Sequence, residues 1–175
     1  MTNRRSRIWR LNQEELLKIT CVVVGRLKEK YYTEAVKEYA KRLSRYCKLE
    51  IVELPDEKTP DGASAAEEAA ILEREGERIL KAVREDAYMI ALAIEGKALN
   101  SVEFSRRLER LGVEGRSHIT FVIGGSLGLS PAVMLRADEA VSFSRMTFPH
   151  QLMRVILLEQ VYRGFRIMKG EPYHK

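Results

Sequence analysis

Short apolar runs alternate along this chain with longer stretches in which apolar residues recur at helical spacing. The runs are rich in β-branched residues and predict strands at residues 19–25, 49–54, 88–94, 119–123 and 140–143. The stretches between them predict helices at residues 31–43, 64–83, 101–111 and 149–169, with a short one after Ser130. Strands that alternate with helices are typical of an α/β fold with a mostly parallel sheet flanked by helices.

Small polar residues stand where several of these helices begin. Ser64 is followed three positions later by Glu67, which is the pattern of a capping box. Ser101 is the predicted N-cap of the next helix. Ser130 precedes Pro131, a residue that suits the first helical position. Residues 95–97 (Glu-Gly-Lys) are predicted to form a loop that leaves the third strand.

The predicted last helix, residues 149–169, is apolar around most of its circumference. A helix of this kind must be buried on nearly all sides, and one small sheet does not cover it. A partner subunit is the natural cover, so we expect a homodimer. Gly170 is predicted to end the helix as a C-cap glycine.

Composition and charge narrow the class of protein. An apolar content of 45% in 175 residues is enough for one domain with its own core. The net charge of +5 favours an anionic partner, and the basic excess is concentrated after residue 144. Cys21 and Cys47 are too far apart for a metal knuckle, and two cysteines are too few for a disulfide framework.

The chain carries no sign of a membrane or secretory destination. No apolar run approaches the roughly 20 residues that span a bilayer, and the basic start lacks the apolar core of a signal peptide. We therefore expect a cytoplasmic protein that does not contact membranes. Residues 1–17 form an N-terminal extension that is expected to be disordered, and residues 18–175 form the folded domain.

Two neighbouring stretches carry the candidate chemistry, residues 121–131 (FVIGGSLGLSP) and 141–154 (VSFSRMTFPHQLMR). In each stretch a predicted strand is followed by a loop and then by a helix. Both loops are therefore expected at one crevice beside the carboxyl ends of the strands. The glycine spacing matches neither a dinucleotide fingerprint nor a P-loop. Taken alone, Gly124 and Gly125 fit a tight turn that uses positive φ as well as they fit close approach of a ligand.

Larger motifs resemble one family throughout residues 18–175. These are FVIGGSLG, SFSRMTFPHQLMRV, LEQVYR and a terminal PYHK, with VVVGRLKEKYY, AVKEYAKRL and LPDEK upstream. On these motifs the chain is identified as a member of the RlmH family of SPOUT-class methyltransferases; its first seventeen residues depart from the family pattern. The resemblance implies a SPOUT-type α/β knot, with a trefoil knot at the C-terminal end. It also implies S-adenosylmethionine-dependent methylation of N3 of a pseudouridine in large-subunit (23S) ribosomal RNA, on the assembled ribosome.

The resemblance also implies which residues hold the cofactor, and it implies no metal. These residues are Leu92, Gly124 and the loop of Phe143, Ser144, Arg145, Met146, Thr147 and Phe148. Apolar side chains in this set suit an adenine slot, and Gly124 would let the backbone approach the ribose and methionine parts.

The terminal residues Tyr173 and His174 are the catalytic candidates that the resemblance implies. The tail has no evident packing role and would reach the active site of the partner subunit. There Tyr173 would orient the target base, and His174 would accept or relay its proton. Arg145 is a candidate for RNA contact. Arg154 either holds an RNA phosphate or braces the loop against a carboxylate, and the sequence leaves both open.

Two other functions remain compatible with the sequence. One is a SPOUT methyltransferase that acts on another RNA, such as tRNA. The absence of an added RNA-binding domain favours instead a substrate presented by a large assembly. The other is a ribosome-binding protein without catalysis, which the intact cofactor loop and the Tyr-His pair count against.

Overall fold

A computed structural model describes residues 16–175 and shows a five-stranded sheet in which all pairs are parallel, in the order β2-β1-β4-β3-β5. In chain order the elements are β1 (Lys18–Val24), α1 (Lys30–Leu43), β2 (Lys48–Leu54), α2 (Ala65–Ala82), β3 (Tyr88–Ala98), α3 (Ser101–Val113), β4 (His118–Ile123), α4 (Pro131–Arg136), β5 (Glu139–Ser142) and α5 (His150–Met168). The predicted α/β fold with a parallel sheet flanked by helices is confirmed.

The two faces of the sheet build two separate apolar cores, because alternate residues of a strand point to opposite sides. On one side Phe121 and its strand neighbours pack against α1, α3 and α5, with Leu108 and Leu157 fully buried. On the other side Val122 packs against α2 and α4, with Ile79 and Val133 at the contact. This double cover explains why the central strands are apolar runs without polar alternation.

The predicted caps are mostly as the sequence indicates. Ser64 and Glu67 form the capping box of α2, and Ser130 caps α4 with Pro131 in its first turn. At α3 the prediction was wrong by one position, since Asn100 is the N-cap and pairs with Glu103 in a second capping box.

Strand β3 runs past the predicted end of the third strand. Residues 95–97 were predicted as a loop, yet they continue the strand to Ala98. Both Leu92 and Lys97 take Val141 of β5 as their register partner, so the intervening residues bulge around β5. Gly96 makes this contact possible, because a Cβ there would lie 2.7 Å from the backbone nitrogen of Val141. The predicted trefoil knot stays a prediction from the resemblance.

Helix α5 is buried on one face in the single chain. Leu158, Val161 and Phe165 are at most 1% exposed, whereas Leu152 and Ile156 are half-buried and lie outside both cores. Burial on nearly all sides, as predicted, is therefore not achieved within one chain. Gly170 follows the helix with a φ of +65°, as a C-cap glycine requires.

The described chain begins just before the predicted domain boundary. Leu17 packs against the α5-side core, and its carbonyl accepts a hydrogen bond of 2.9 Å from the amide of Lys48. The folded domain therefore includes at least this one residue of the predicted extension. The predicted disorder of the extension falls mainly on residues 1–15, which lie outside the described residues. Among residues 16–175, no helix has the length and apolar character needed to cross a membrane.

Candidate active site

A cleft of about 730 Å³ opens at the carboxyl ends of β3, β4 and β5. Three segments line it, namely the end of β3 with its bulge, the glycine turn after β4, and the loop between β5 and α5. Both strand exits that the sequence singled out thus meet in one crevice. Of the residues implied to hold the cofactor, the cleft is lined by Leu92, Gly124, Phe143, Ser144, Met146, Thr147 and Phe148.

The glycine turn, residues 124–128, folds back on itself, and the absence of side chains at its glycines allows this close packing. The amide of Gly128 donates to the carbonyl oxygen of Gly125 at 3.1 Å, and Gly128 has a φ of +83°. A Cβ at Gly124 would overlap the Gly128 carbonyl group, whose carbon would lie 2.6 Å away. Positive φ is therefore needed at Gly128 and not at the Gly124-Gly125 pair. Gly124 is required in this turn because the chain folds back on it.

A buried carboxyl group packs against the same turn. Glu75 of α2 is 4% exposed, and its Oε2 has no hydrogen-bond partner among residues 16–175. A Cβ at Gly125 would lie 3.0 Å from that oxygen. Burial raises the pKa of Glu75, and the nearby Asp56 carboxylate raises it further. Glu75 therefore leaves little room for a side chain at position 125, which no local sequence pattern indicated.

The loop between β5 and α5 is held by its own serines. The Ser142 hydroxyl donates to the Ser144 carbonyl oxygen at 3.0 Å, and the amide of Met146 donates to the Ser144 hydroxyl at 2.9 Å. The ring of Phe143 packs edge-on against Phe104 of α3 at 5.5 Å, which ties the loop to the core. Met146 is 72% exposed and projects at the mouth of the cleft.

The two arginine candidates occupy very different places. Arg145 is exposed on the loop and does not line the cleft. Arg154 is 4% exposed, so its side chain is not presented to RNA. Its guanidinium donates to the Glu53 carboxylate at 2.8 Å and to the carbonyl oxygens of Val24 and Gly25 at 3.0 and 2.6 Å. Of the two roles left open for Arg154, this placement supports the bracing role.

The tail packs on α5 of its own chain, away from the cleft. The Tyr173 hydroxyl donates to Glu159 at 3.1 Å, and Nδ1 of His174 lies 3.2 Å from a guanidinium nitrogen of Arg163. Burial and the Glu159 carboxylate raise the pKa of Tyr173 to about 12, so its phenol is neutral. Neither tail residue lines the cleft of the same chain.

Several cleft residues were absent from the residues predicted for the site. They include Ile94 and Glu95 of the β3 bulge, Leu127 and Leu129 of the glycine turn, and His150 and Met153 at the start of α5. The turn and α5 residues lie within the two stretches already singled out, so proximity to the strand exits was an available signal. Ile94 and Glu95 carried no such signal, because the bulge depends on pairing with β5.

Comparison with known proteins identifies the family. Residues 17–174 match a family described as "Predicted SPOUT methyltransferase". The ribosomal RNA large subunit methyltransferase H of Clostridium perfringens is 61% identical over 159 residues, and that of Bifidobacterium adolescentis is 60% identical. Each alignment covers 91% of this chain and the full length of the relative. A solved SpoU methyltransferase, AviRb from Streptomyces viridochromogenes with AdoMet, aligns over 87% of this chain and 58% of its own, at 13% identity and a TM-score of 0.42. The chain therefore belongs to the SPOUT methyltransferase family, within the group of the ribosomal RNA large subunit methyltransferase H proteins.

Proposed function

We propose that the protein uses S-adenosylmethionine to methylate N3 of a pseudouridine in large-subunit (23S) ribosomal RNA. The single observation that carries this proposal is the full-length similarity, at about 60% identity, to proteins named for methylation of that RNA. The cleft supports it with a site of suitable size at the place where α/β sheets bind ligands. The substrate places the reaction in the cytoplasm, with the 70S ribosome as the partner.

The residues of the cleft fit S-adenosylmethionine. A volume of about 730 Å³ lies within the range of small-molecule sites, and Leu92, Leu129 and Met153 supply apolar walls for an adenine ring. The backbone of the turn at residues 124–128 adds peptide donors and acceptors for the polar parts. When bound, the cofactor supplies an electrophilic methyl group, and the electron pair of the broken carbon–sulfur bond stays on sulfur.

Substitution of the turn glycine tests this assignment. In Gly124→Ala the new Cβ overlaps the Gly128 carbonyl, so the turn must open and the cleft wall must move. We expect calorimetry to show a loss of S-adenosylmethionine affinity of about 10-fold or more, equivalent to about 1.4 kcal/mol.

Gly115→Ala is the matched control for this change. Gly115 has a φ of +81° and lies between α3 and β4, at the opposite edge of the sheet, and no atom of residues 16–175 lies within 4 Å of an added Cβ. Strain should lower its stability by about 1–2 kcal/mol without changing the affinity. If folded Gly124→Ala binds S-adenosylmethionine with unchanged affinity, the turn is not part of the cofactor site.

A homodimer completes the site in this proposal. Leu152 and Ile156 form a partly exposed apolar strip on α5, and Ile94 and Met146 are 48% and 72% exposed at the cleft. Exposed apolar side chains of this kind are typical of a protein interface. The tail of one subunit would then place Tyr173 and His174 over the cleft of the other, and exposed Arg145 would contact RNA.

Methylation of purified ribosomes tests the function directly. We expect the protein to transfer a labelled methyl group from S-adenosylmethionine to one nucleotide of the large-subunit RNA in 70S ribosomes. Mapping by mass spectrometry should place the label on a pseudouridine. Label found only on tRNA, or on no RNA, would contradict the proposal.

A further inference from the structure

The three histidines of the chain lie in three separate environments. His118 begins β4, and its Nε2 is 2.9 Å from the Thr20 hydroxyl, so it belongs to the amino-terminal edge of the sheet. His174 belongs to the tail that follows α5, and it is exposed beside Arg163. His150 is the first residue of α5 and lines the cleft. Thus His150 is the histidine that faces the cleft of its own chain.

The His150 imidazole is held at the cleft without using its nitrogens for structure. Within residues 16–175 no group hydrogen-bonds to either ring nitrogen. The ring instead packs over Gly25, where an added Cβ would lie 3.5 Å from Nε2 and 3.8 Å from both the Asp56 carboxyl carbon and an Arg154 nitrogen. Arg154 lies close to this position as well, and it is fixed by its bonds to Glu53 and to the Gly25 carbonyl.

We infer that His150 is a catalytic residue that accepts the N3 proton of the target nucleotide. This inference rests on the proposed function, since it assigns the base for that reaction. The imide proton passes from N3 to an imidazole nitrogen, and the lone pair left on N3 forms the new bond to the methyl carbon. The imidazolium then releases the proton to water. In this assignment His150 takes the place of His174 as the proton acceptor, and the tail positions the nucleotide.

The electrostatic surroundings of His150 suit a proton acceptor. Burial and the Arg154 guanidinium lower the pKa of the imidazole, the Asp56 carboxylate raises it, and the Lys28 ammonium lowers it, with a net shift below the ordinary value. The ordinary pKa of histidine is about 6.5. A lowered pKa leaves the ring uncharged at neutral pH, so it is ready to take a proton.

The pH dependence of single-turnover methylation distinguishes this base from a structural histidine. With 70S ribosomes and saturating S-adenosylmethionine, the wild-type rate should rise with pH to a plateau, with its half-point below about 6.5. His150→Gln should lower the plateau by about 10²- to 10⁴-fold and abolish the acidic limb. His118→Gln, the matched control, should keep both the plateau and the limb.

Charge changes around the ring supply a second test that does not depend on the folding of a His150 variant. Asp56→Asn removes a group that raises the pKa of His150, so the half-point should move to lower pH. Lys28→Gln removes a group that lowers it, so the half-point should move to higher pH. A half-point that shifts in neither direction would overturn the inference.

The results separate this inference from the proposed function. If wild-type protein methylates ribosomes and His150→Gln keeps the acidic limb, the base lies elsewhere and the inference is wrong. The same holds if His150→Gln loses only S-adenosylmethionine affinity in calorimetry, because that loss indicates a role in cofactor binding. If the wild-type protein methylates no ribosomal RNA, the proposed function fails and the inference falls with it.

Discussion

Deletion of residues 173–175 should abolish methylation while leaving the S-adenosylmethionine affinity and the fold unchanged. Tyr173 is half-buried and His174 and Lys175 are exposed, so the deletion removes no residue of either core. Placement of the target base would be lost with Tyr173 and His174. We expect the rate to fall by at least the 10²- to 10⁴-fold that one catalytic group contributes. A filter-binding assay with labelled ribosomes measures this loss, and calorimetry confirms cofactor binding.

The position of the tail predicts which cleft it serves. His174 contacts Arg163, ten positions along α5 from the cleft residue Met153. Ten residues of helix span about 15 Å. The tail would have to leave its contacts with Glu159 and Arg163 and travel back along α5 to reach its own cleft. In the proposed dimer, a second subunit docked on the partly exposed strip of α5 would offer another route.

Heterodimers with two different tags decide between these routes. A tail-deleted subunit paired with a Gly124→Val subunit should regain one working site, since the intact cleft of the first receives the tail of the second. The matched control places both defects in one subunit and pairs it with wild type. That heterodimer should be inactive, because the intact tail meets the damaged cleft and the intact cleft meets no tail. The reverse pattern of activity would show that each tail serves its own cleft.

Ile156→Glu should convert the protein into a monomer that binds S-adenosylmethionine and does not methylate ribosomes. Ile156 is half-buried on α5 and packs in neither core, so a carboxylate there remains hydrated in the free chain. At a dimer interface the same carboxylate would lose its water, at a cost of several kcal/mol. Sedimentation measures the change in mass, and calorimetry measures cofactor binding.

A charge on a hydrated face is the matched control for this variant. Val113 is 61% exposed at the end of α3, so Val113→Glu adds the same charge away from α5 and should leave the mass and the activity unchanged. If Ile156→Glu remains a dimer, the partly exposed strip of α5 is not the interface. If wild-type protein sediments as a stable monomer at micromolar concentration, no dimer exists to break.

Much of the fold could be predicted because the signals are local. β-branched runs such as the one in β1 predict strands that are buried on both faces, and helical spacing predicts the helices that cover them. The Ser64 capping box and the Ser130–Pro131 start depend on residues within a single turn, so sequence spacing alone locates them. The crevice was predictable as well, because the carboxyl ends of parallel strands meet at one edge of a sheet.

Details of the site were harder to predict because they depend on contacts between distant parts of the chain. The local sequence pattern predicted the end of β3 too early, because the last part of the strand forms only through its pairing with β5. The sequence left open why Gly124 and Gly125 are glycines, and only the packed structure shows that their missing side chains make room for Gly128 and Glu75. His150 was not among the residues predicted for the site, and only the packed loops show that it lines the cleft.

The sequence by itself determined the α/β class, the order of the elements, the two loops that form the cleft and, through its motifs, the family. Only the tertiary structure decided which side chains of those loops face the cleft, which brace it and where the tail lies. Arg154 illustrates the reason, because the bond that removes it from the surface reaches the Gly25 carbonyl across 129 positions of the chain. Spacing along the sequence records periodicity and caps within one element, but the burial of a charged side chain depends on which distant elements pack around it.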